Sequence, residues 1–89
     1  MSQQKVTVRI LNREYQFAAT DEERSSLLSA ADNLDSTMRS IKGNNSTLSA
    51  DKVAIMAALN ISHEMIQLKQ AHQKINQLKE LLQKKIHKN

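Results

Sequence analysis

The chain has no cysteine, no proline and no tryptophan, and its single glycine is Gly43. Without cysteine there is no disulfide, no thiolate metal site and no thiol nucleophile. Without proline, nothing interrupts a helix from within. Tyr15 and Phe17 are the only aromatic residues, both near the N-terminus. The core must therefore come from Leu, Ile, Val, Met and Ala, which favours packed helices. No apolar run approaches the ~20 residues needed to span a bilayer. The opening MSQQKVTVRI lacks the apolar stretch and small-residue cleavage site of a secretory signal. A cytoplasmic protein is the expectation.

What is present is a short chain with a fair apolar content. Its 89 residues allow one domain at most, and 39% of them are hydrophobic, too many for a disordered tail. A chain of this size buries only about 60–65% of its extended surface, so its own core is marginal. The net charge of +4 is unevenly placed. Residues 1–59 carry seven Lys/Arg and seven Asp/Glu, whereas residues 60–89 carry six Lys against Glu64 and Glu80.

The segment KVTVRIL alternates, with Val6, Val8 and Ile10 on one side and Thr7 and Arg9 on the other, the period of a half-buried strand. EYQF continues the pattern, with Tyr15 and Phe17 on one face. A tight turn is expected at Asn12-Arg13, or a bulged or longer one, leaving Arg13 at or beside an exposed tip. Thr20 and Glu23 have the spacing of a capping box. Leu27, Ala31, Leu34, Met38 and Ile41 then recur at three- and four-residue steps, an amphipathic helix, and Gly43 fits the position just past its end. A loop follows, and Ser49 or Thr47 can cap a second helix. From there to about His87 nothing breaks the pattern, a helix of roughly 37 residues and about 55 Å. A compact globule of this chain length has a diameter of roughly 30 Å, so the second half of the helix is expected to project.

That half carries a seam. Ile61, Leu68, Ile75 and Leu82 are seven apart; Ala71 and Leu78 fall at the intervening positions, and Met65 and Ile86 widen the stripe. This is an imperfect coiled-coil pattern, since Glu64 and Lys85 also occupy core positions. Upstream, VAIMAALNI (Val53 to Ile61) is apolar on every side of a helix. Two strands and one helix are too little material to cover it, so a second copy is expected to pair there. The oligomerisation surface is read as Val53, Met56, Ala57, Asn60, Ile61, Met65, Leu68, Ala71, Ile75, Leu78, Leu82 and Ile86. The expected fold is α+β and mostly helical. Residues 1–60 form a dimeric head (hairpin 5–18, helix 20–42, loop 43–49 and the start of the long helix), and residues 61–89 a coiled-coil extension.

Catalytic chemistry finds no foothold. His63, His72 and His87 are too far apart for a local metal site, and HEMIQ lacks the second His of a helical ligand pair. No Ser/His/Asp grouping, Gly-rich phosphate loop or pair of buried carboxylates can be assembled, so neither an enzyme nor a cofactor is expected. Asn60 either fixes register between copies, bonds a neighbouring loop or faces solvent. Lys74, Lys84, Lys85 and Lys88 share one helix face. That face reads more simply as solvated surface than as a phosphate-binding strip, because no base-reading cluster accompanies it. The rival reading is nonetheless a basic coiled-coil dimer that binds nucleic acid. Arg13, with Arg9 on the same hairpin, suits contact with an acidic partner. Asp51 and Lys52 open the long helix.

Three stretches together carry a resemblance: ILNREYQF in the hairpin, AADNLD from Ala30 to Asp35, and AALNIS with HEM from Ala57 to Met65. From about Val6 to Gln67 the chain resembles the ZapA family of bacterial cell-division proteins, which bind the tubulin-like GTPase FtsZ. The resemblance implies dimeric heads and stalks that join two dimers into an elongated tetramer, which aligns or bundles FtsZ filaments at the mid-cell division ring. Other division-ring proteins are possible further partners. Arg13 matches a basic turn residue implicated in FtsZ contact; Asp51 and Met56 match a second implicated region. Where the family can carry a second Arg this chain has Gln16, and Asn12 stands in place of the commoner turn Gly.

Overall fold

The computed structural model describes residues 2–87, with side chains through residue 85. The architecture is α+β: strands β1 (Gln4–Ile10) and β2 (Arg13–Ala19), then helices α1 (Asp21–Asn44) and α2 (Ala50–His87). The chain divides into two units, the first ending at Ala57 and the second beginning at Ala58.

The two strands pair antiparallel, from Gln4 opposite Ala19 to Ile10 opposite Arg13. This register fixes the turn as Leu11-Asn12, one residue earlier than the sequence pattern places it. Both residues have positive φ, 48° and 67°, as a two-residue hairpin turn demands. Asn adopts that region readily, whereas Leu there costs about 1–2 kcal/mol. Two contacts offset the cost. The Leu11 N–H donates to Asp35 Oδ1 at 2.8 Å, and its side chain joins the core around Met38.

The α1 capping box forms as the spacing predicts: Thr20 Oγ1 accepts from the Glu23 N–H, and Glu23 Oε1 accepts from the Thr20 N–H at 3.0 Å. The far end of α1 differs from expectation. The helix runs through Gly43 and stops at Asn44, and the Asn45 N–H bonds back to the carbonyls of Ile41 and Lys42. Gly43 has ordinary helical backbone because the Asn45 cap is extended, so no left-handed residue is needed to end the helix. Between the expected caps of α2, Ser49 takes the role: its Oγ accepts from the Lys52 N–H and its carbonyl from the Val53 N–H. Thr47 is instead turned toward the Asn45 side chain.

Two apolar clusters make up the core of the first unit. Val6, Val8, Ala19 and Ala31 are buried together, with Leu27 and Leu28 packed against them. Met38, Val53 and Ala57 form the second, flanked by Leu34, Ile41 and Leu48, and Ile10 touches both. The predicted stripe of α1 is thus the face that packs. Val53 and Ala57, expected to meet a second copy, are wholly inaccessible within this one chain, because α1 and the hairpin turn already cover them. They belong to the chain's own core rather than to an oligomer surface.

The other sides of the apolar run stay open. Ile55 is 62% exposed and Met56 40%. Tyr15 and Phe17, opposite Val8 and Val6, share the core face of the sheet but remain about half exposed. In the second unit, Leu68, Ile75, Leu78 and Leu82 are each more than half exposed, and Met65 is half exposed. Ala71 and Asn60 are exposed and Ile61 is half-buried. The side chain of Ile86 lies outside the described residues. The oligomerisation surface read from the sequence omits Leu59, Ile66 and Leu81, all more than half exposed and off the predicted seam. Leu59 and Ile66 are seven apart, a second short row on the same helix.

Met38 meets both Val53 and Ala57 in the second cluster. Met38→Ala is expected to destabilise the fold by about 2–5 kcal/mol, the usual cost of emptying a packed site of that size. Urea unfolding followed by circular dichroism measures it; a loss below about 0.5 kcal/mol would show that the cluster does not hold α2 to α1.

Candidate functional site

A cleft of about 530 Å³ opens beside the hairpin turn. Its apolar wall is Ile10, Leu11, Tyr15, Met38 and Ala54; its polar lining is Asn12, Arg13, Arg39, Lys42 and Asp51. Three parts of the first unit meet here: the turn between β1 and β2, the last turns of α1 and the first turns of α2.

Asp35 organises one side of it. One carboxylate oxygen accepts the Leu11 N–H, and the other accepts Arg39 Nε at 2.9 Å. Arg39 Nη2 reaches Asn12 Oδ1 at 3.1 Å. The carboxylate therefore ties the turn to α1 twice, directly and through Arg39. These bonds hold the Asp35 carboxyl below the usual range, the Leu11 amide first and the Arg39 guanidinium second. Lys42 Nζ donates to the Leu48 carbonyl and so ties the end of α1 to the loop before α2.

Of the residues singled out by sequence, the cleft gathers Arg13 and Asp51. Arg13 opens β2 beside the tip, on the same sheet face as Ile10. Among the described residues it has no carboxylate within ion-pair distance; the one ion pair is Arg39 with Asp35. Arg9 stands opposite Glu14 on the other face of the hairpin and does not line the cleft, because alternation along a strand sends neighbouring residues to opposite sides. Met56 is exposed but lies outside the lining as well. The sequence reading missed Arg39, Lys42 and Tyr15. Arg39 was legible in part, since it follows Asp35 at the four-residue spacing of a helical ion pair.

Among the described residues no group of three His, Cys, Asp or Glu could hold a metal ion, and no helix is long and apolar enough to cross a membrane. The cleft combines an apolar wall with a polar lining of three cations and one carboxylate. Hairpin, amphipathic helix and a long helix with exposed leucines define a class of small α+β proteins whose long helix is consistent with a coiled-coil stalk.

Comparison with known proteins places the chain more closely. The family described as "Cell division protein ZapA" matches residues 6–88. A cell division protein ZapA of Pseudomonas aeruginosa is 46% identical over 65 residues, covering 73% of this chain and 62% of its own length. One from Bacillus thuringiensis is 34% identical over 90 residues, covering 96% of this chain and 97% of its own. Among solved structures, a conserved bacterial protein of unknown role from Pseudomonas aeruginosa superposes with a TM-score of 0.68 at 39% identity, over 90% of this chain and 93% of its own. A mutant ZapA dimer from Geobacillus stearothermophilus shares the fold, with a TM-score of 0.66 at 22% identity over 86% and 88% of the two chains. The chain belongs to the ZapA family of non-enzymatic cell division proteins.

The Asp35 clamp sets a pH expectation. A carboxyl whose folded pKa is depressed adds stability above its unfolded value, about 3.9, and that stability is lost as pH falls through the folded value. Melting temperature measured from pH 7 to pH 2 should therefore fall at the acid end, with Asp35→Asn lower than the parent at pH 7 and converging on it in acid. A gap that persists unchanged to pH 2 would show that the charge on Asp35 contributes nothing.

Proposed function

We propose that this protein cross-links FtsZ filaments at the division site as a dimer of heads whose seams join two dimers into a tetramer. What supports the reading is the family, together with the row Leu68, Ile75, Leu78 and Leu82, which a single chain leaves more than half exposed. Apolar rows of this length are uncommon on monomers, and a heptad spacing is what two helices need to interlock. Arg13 and Asp51, on one cleft, are the proposed contacts for FtsZ; Arg9 and Met56 lie elsewhere and extend the contact only if the partner reaches past the cleft.

The mechanism is one of linkage. A single head binds a filament weakly. Two heads held on one rigid body make the second contact intramolecular, and avidity rises by about 10²–10⁴ when the geometry permits both. The spacer sets filament separation, and neither catalysis nor a cofactor takes part. Other division-ring proteins can be recruited through the same exposed surfaces.

Two substitutions test the two halves of the proposal. Ile75→Glu is expected to abolish tetramers and filament bundling while leaving the dimer, read by light scattering and by sedimentation of FtsZ polymers. Persisting tetramers would remove Ile75 from the seam. Arg13→Glu is expected to weaken co-sedimentation with FtsZ about tenfold, or ~1.4 kcal/mol, with unchanged circular dichroism. Unaltered co-sedimentation would remove Arg13 from the contact.

A further inference from the structure

We infer that the cleft beside the hairpin turn takes a short acidic segment of its partner, seated by one apolar side chain, with Lys42 sharing the carboxylates with Arg13 and Asp51 fixing the direction in which the segment lies. The inference deepens the reading of this cleft as the partner contact and rests on it.

Three features carry it. The first is shape and polarity. The volume of about 530 Å³ falls in the range of sites that enclose a small ligand or a few side chains, and its wall of Ile10, Leu11, Met38 and Ala54 has no charged group. An apolar side chain entering there removes Tyr15, already 42% exposed, from water as well.

The second is charge. Arg39 is committed to Asp35. Arg13 and Lys42 have no carboxylate partner among the described residues, and Lys42 spends one donor on the Leu48 carbonyl, leaving two. A carboxylate laid between them completes their pairing. A basic segment would face Arg13, Lys42 and Arg39 against Asp51 alone.

The third is asymmetry. Asp51 is the one acidic side chain of the lining and sits in the first turn of α2, at one end of the cleft's polar side. Its carboxylate repels another at that end, so the acidic residues of the segment gather toward β2 and α1.

The experiment uses the full chain and a fluorescein-labelled peptide, Asp-Asp-Leu-Asp-Asp, with two controls: Ser in place of Leu, and Lys in place of every Asp. Anisotropy titrations should rank the Leu peptide above the Ser peptide and show no binding of the Lys peptide. Binding should weaken as salt rises from about 50 to 300 mM. Lys42→Gln should weaken the Leu peptide about fivefold and Lys42→Arg restore it, whereas Asp51→Asn should tighten it about threefold. Amide shifts on peptide addition should centre on Arg13, Arg39, Lys42 and Ala54. Equal affinity for the Leu and Ser peptides, binding of the Lys peptide, or shifts confined to other surfaces would overturn the inference.

FtsZ co-sedimentation run on the same variants separates the two readings. If Arg13→Glu and Lys42→Gln weaken FtsZ binding while no peptide binds, the acidic-segment inference fails and the contact site stands. If the peptides behave as expected but FtsZ sedimentation ignores both substitutions, the segment site stands and the FtsZ assignment of the cleft fails.

Discussion

One short helix and two strands can roof only one side of α2. Val53 and Ala57 lie wholly inside the first unit, packed on Met38, while Ile55 and Met56 in the same helical turns face out. The limit is one of material. A helix apolar on all sides needs neighbours all round, and the first unit supplies α1 and the inner edge of the hairpin on one side only. In the second unit Leu68, Ile75, Leu78 and Leu82 are each more than half exposed. In a chain with so few rings and no disulfide there is nothing else to draw on, and the proposed association rests on the apolar surface left over.

The same economy shapes the cleft. A two-residue turn at Leu11-Asn12 places a leucine in a backbone region that disfavours it. Asp35 meets the exposed amide, Arg39 braces Asp35 and reaches Asn12, and Lys42 fastens the next loop. Arg39, which braces the turn, and Lys42, which fastens the loop, also carry two of the three positive charges of the lining. In the proposed contact, structure and recognition are coupled there: a change at Arg39 alters both the turn and the lining of the cleft.

Much of the fold was legible in local pattern. The alternation of Val6, Val8 and Ile10, the Thr20–Glu23 box and the stripe from Leu27 to Ile41 each rest on neighbours close in sequence, and each formed as expected. What escaped was set at long range. The turn fell at Leu11 because strand register and a bond from a carboxylate 24 residues away outweigh the local preference of leucine. Val53 and Ala57 were read as partner-facing because a run apolar on every side does not say which side α1 will take. Arg39 and Lys42 join the cleft only once α1 is laid beside the hairpin, whereas Arg9, near Arg13 in sequence, is turned away by the pleat.

The central claim is that identical copies cover what one chain leaves exposed. Sedimentation equilibrium of the purified protein across about 1–100 µM tests it most directly. The account predicts a mass of two or more chains across most of that range, rising toward four. A folded, monodisperse single chain at the highest concentration would contradict it.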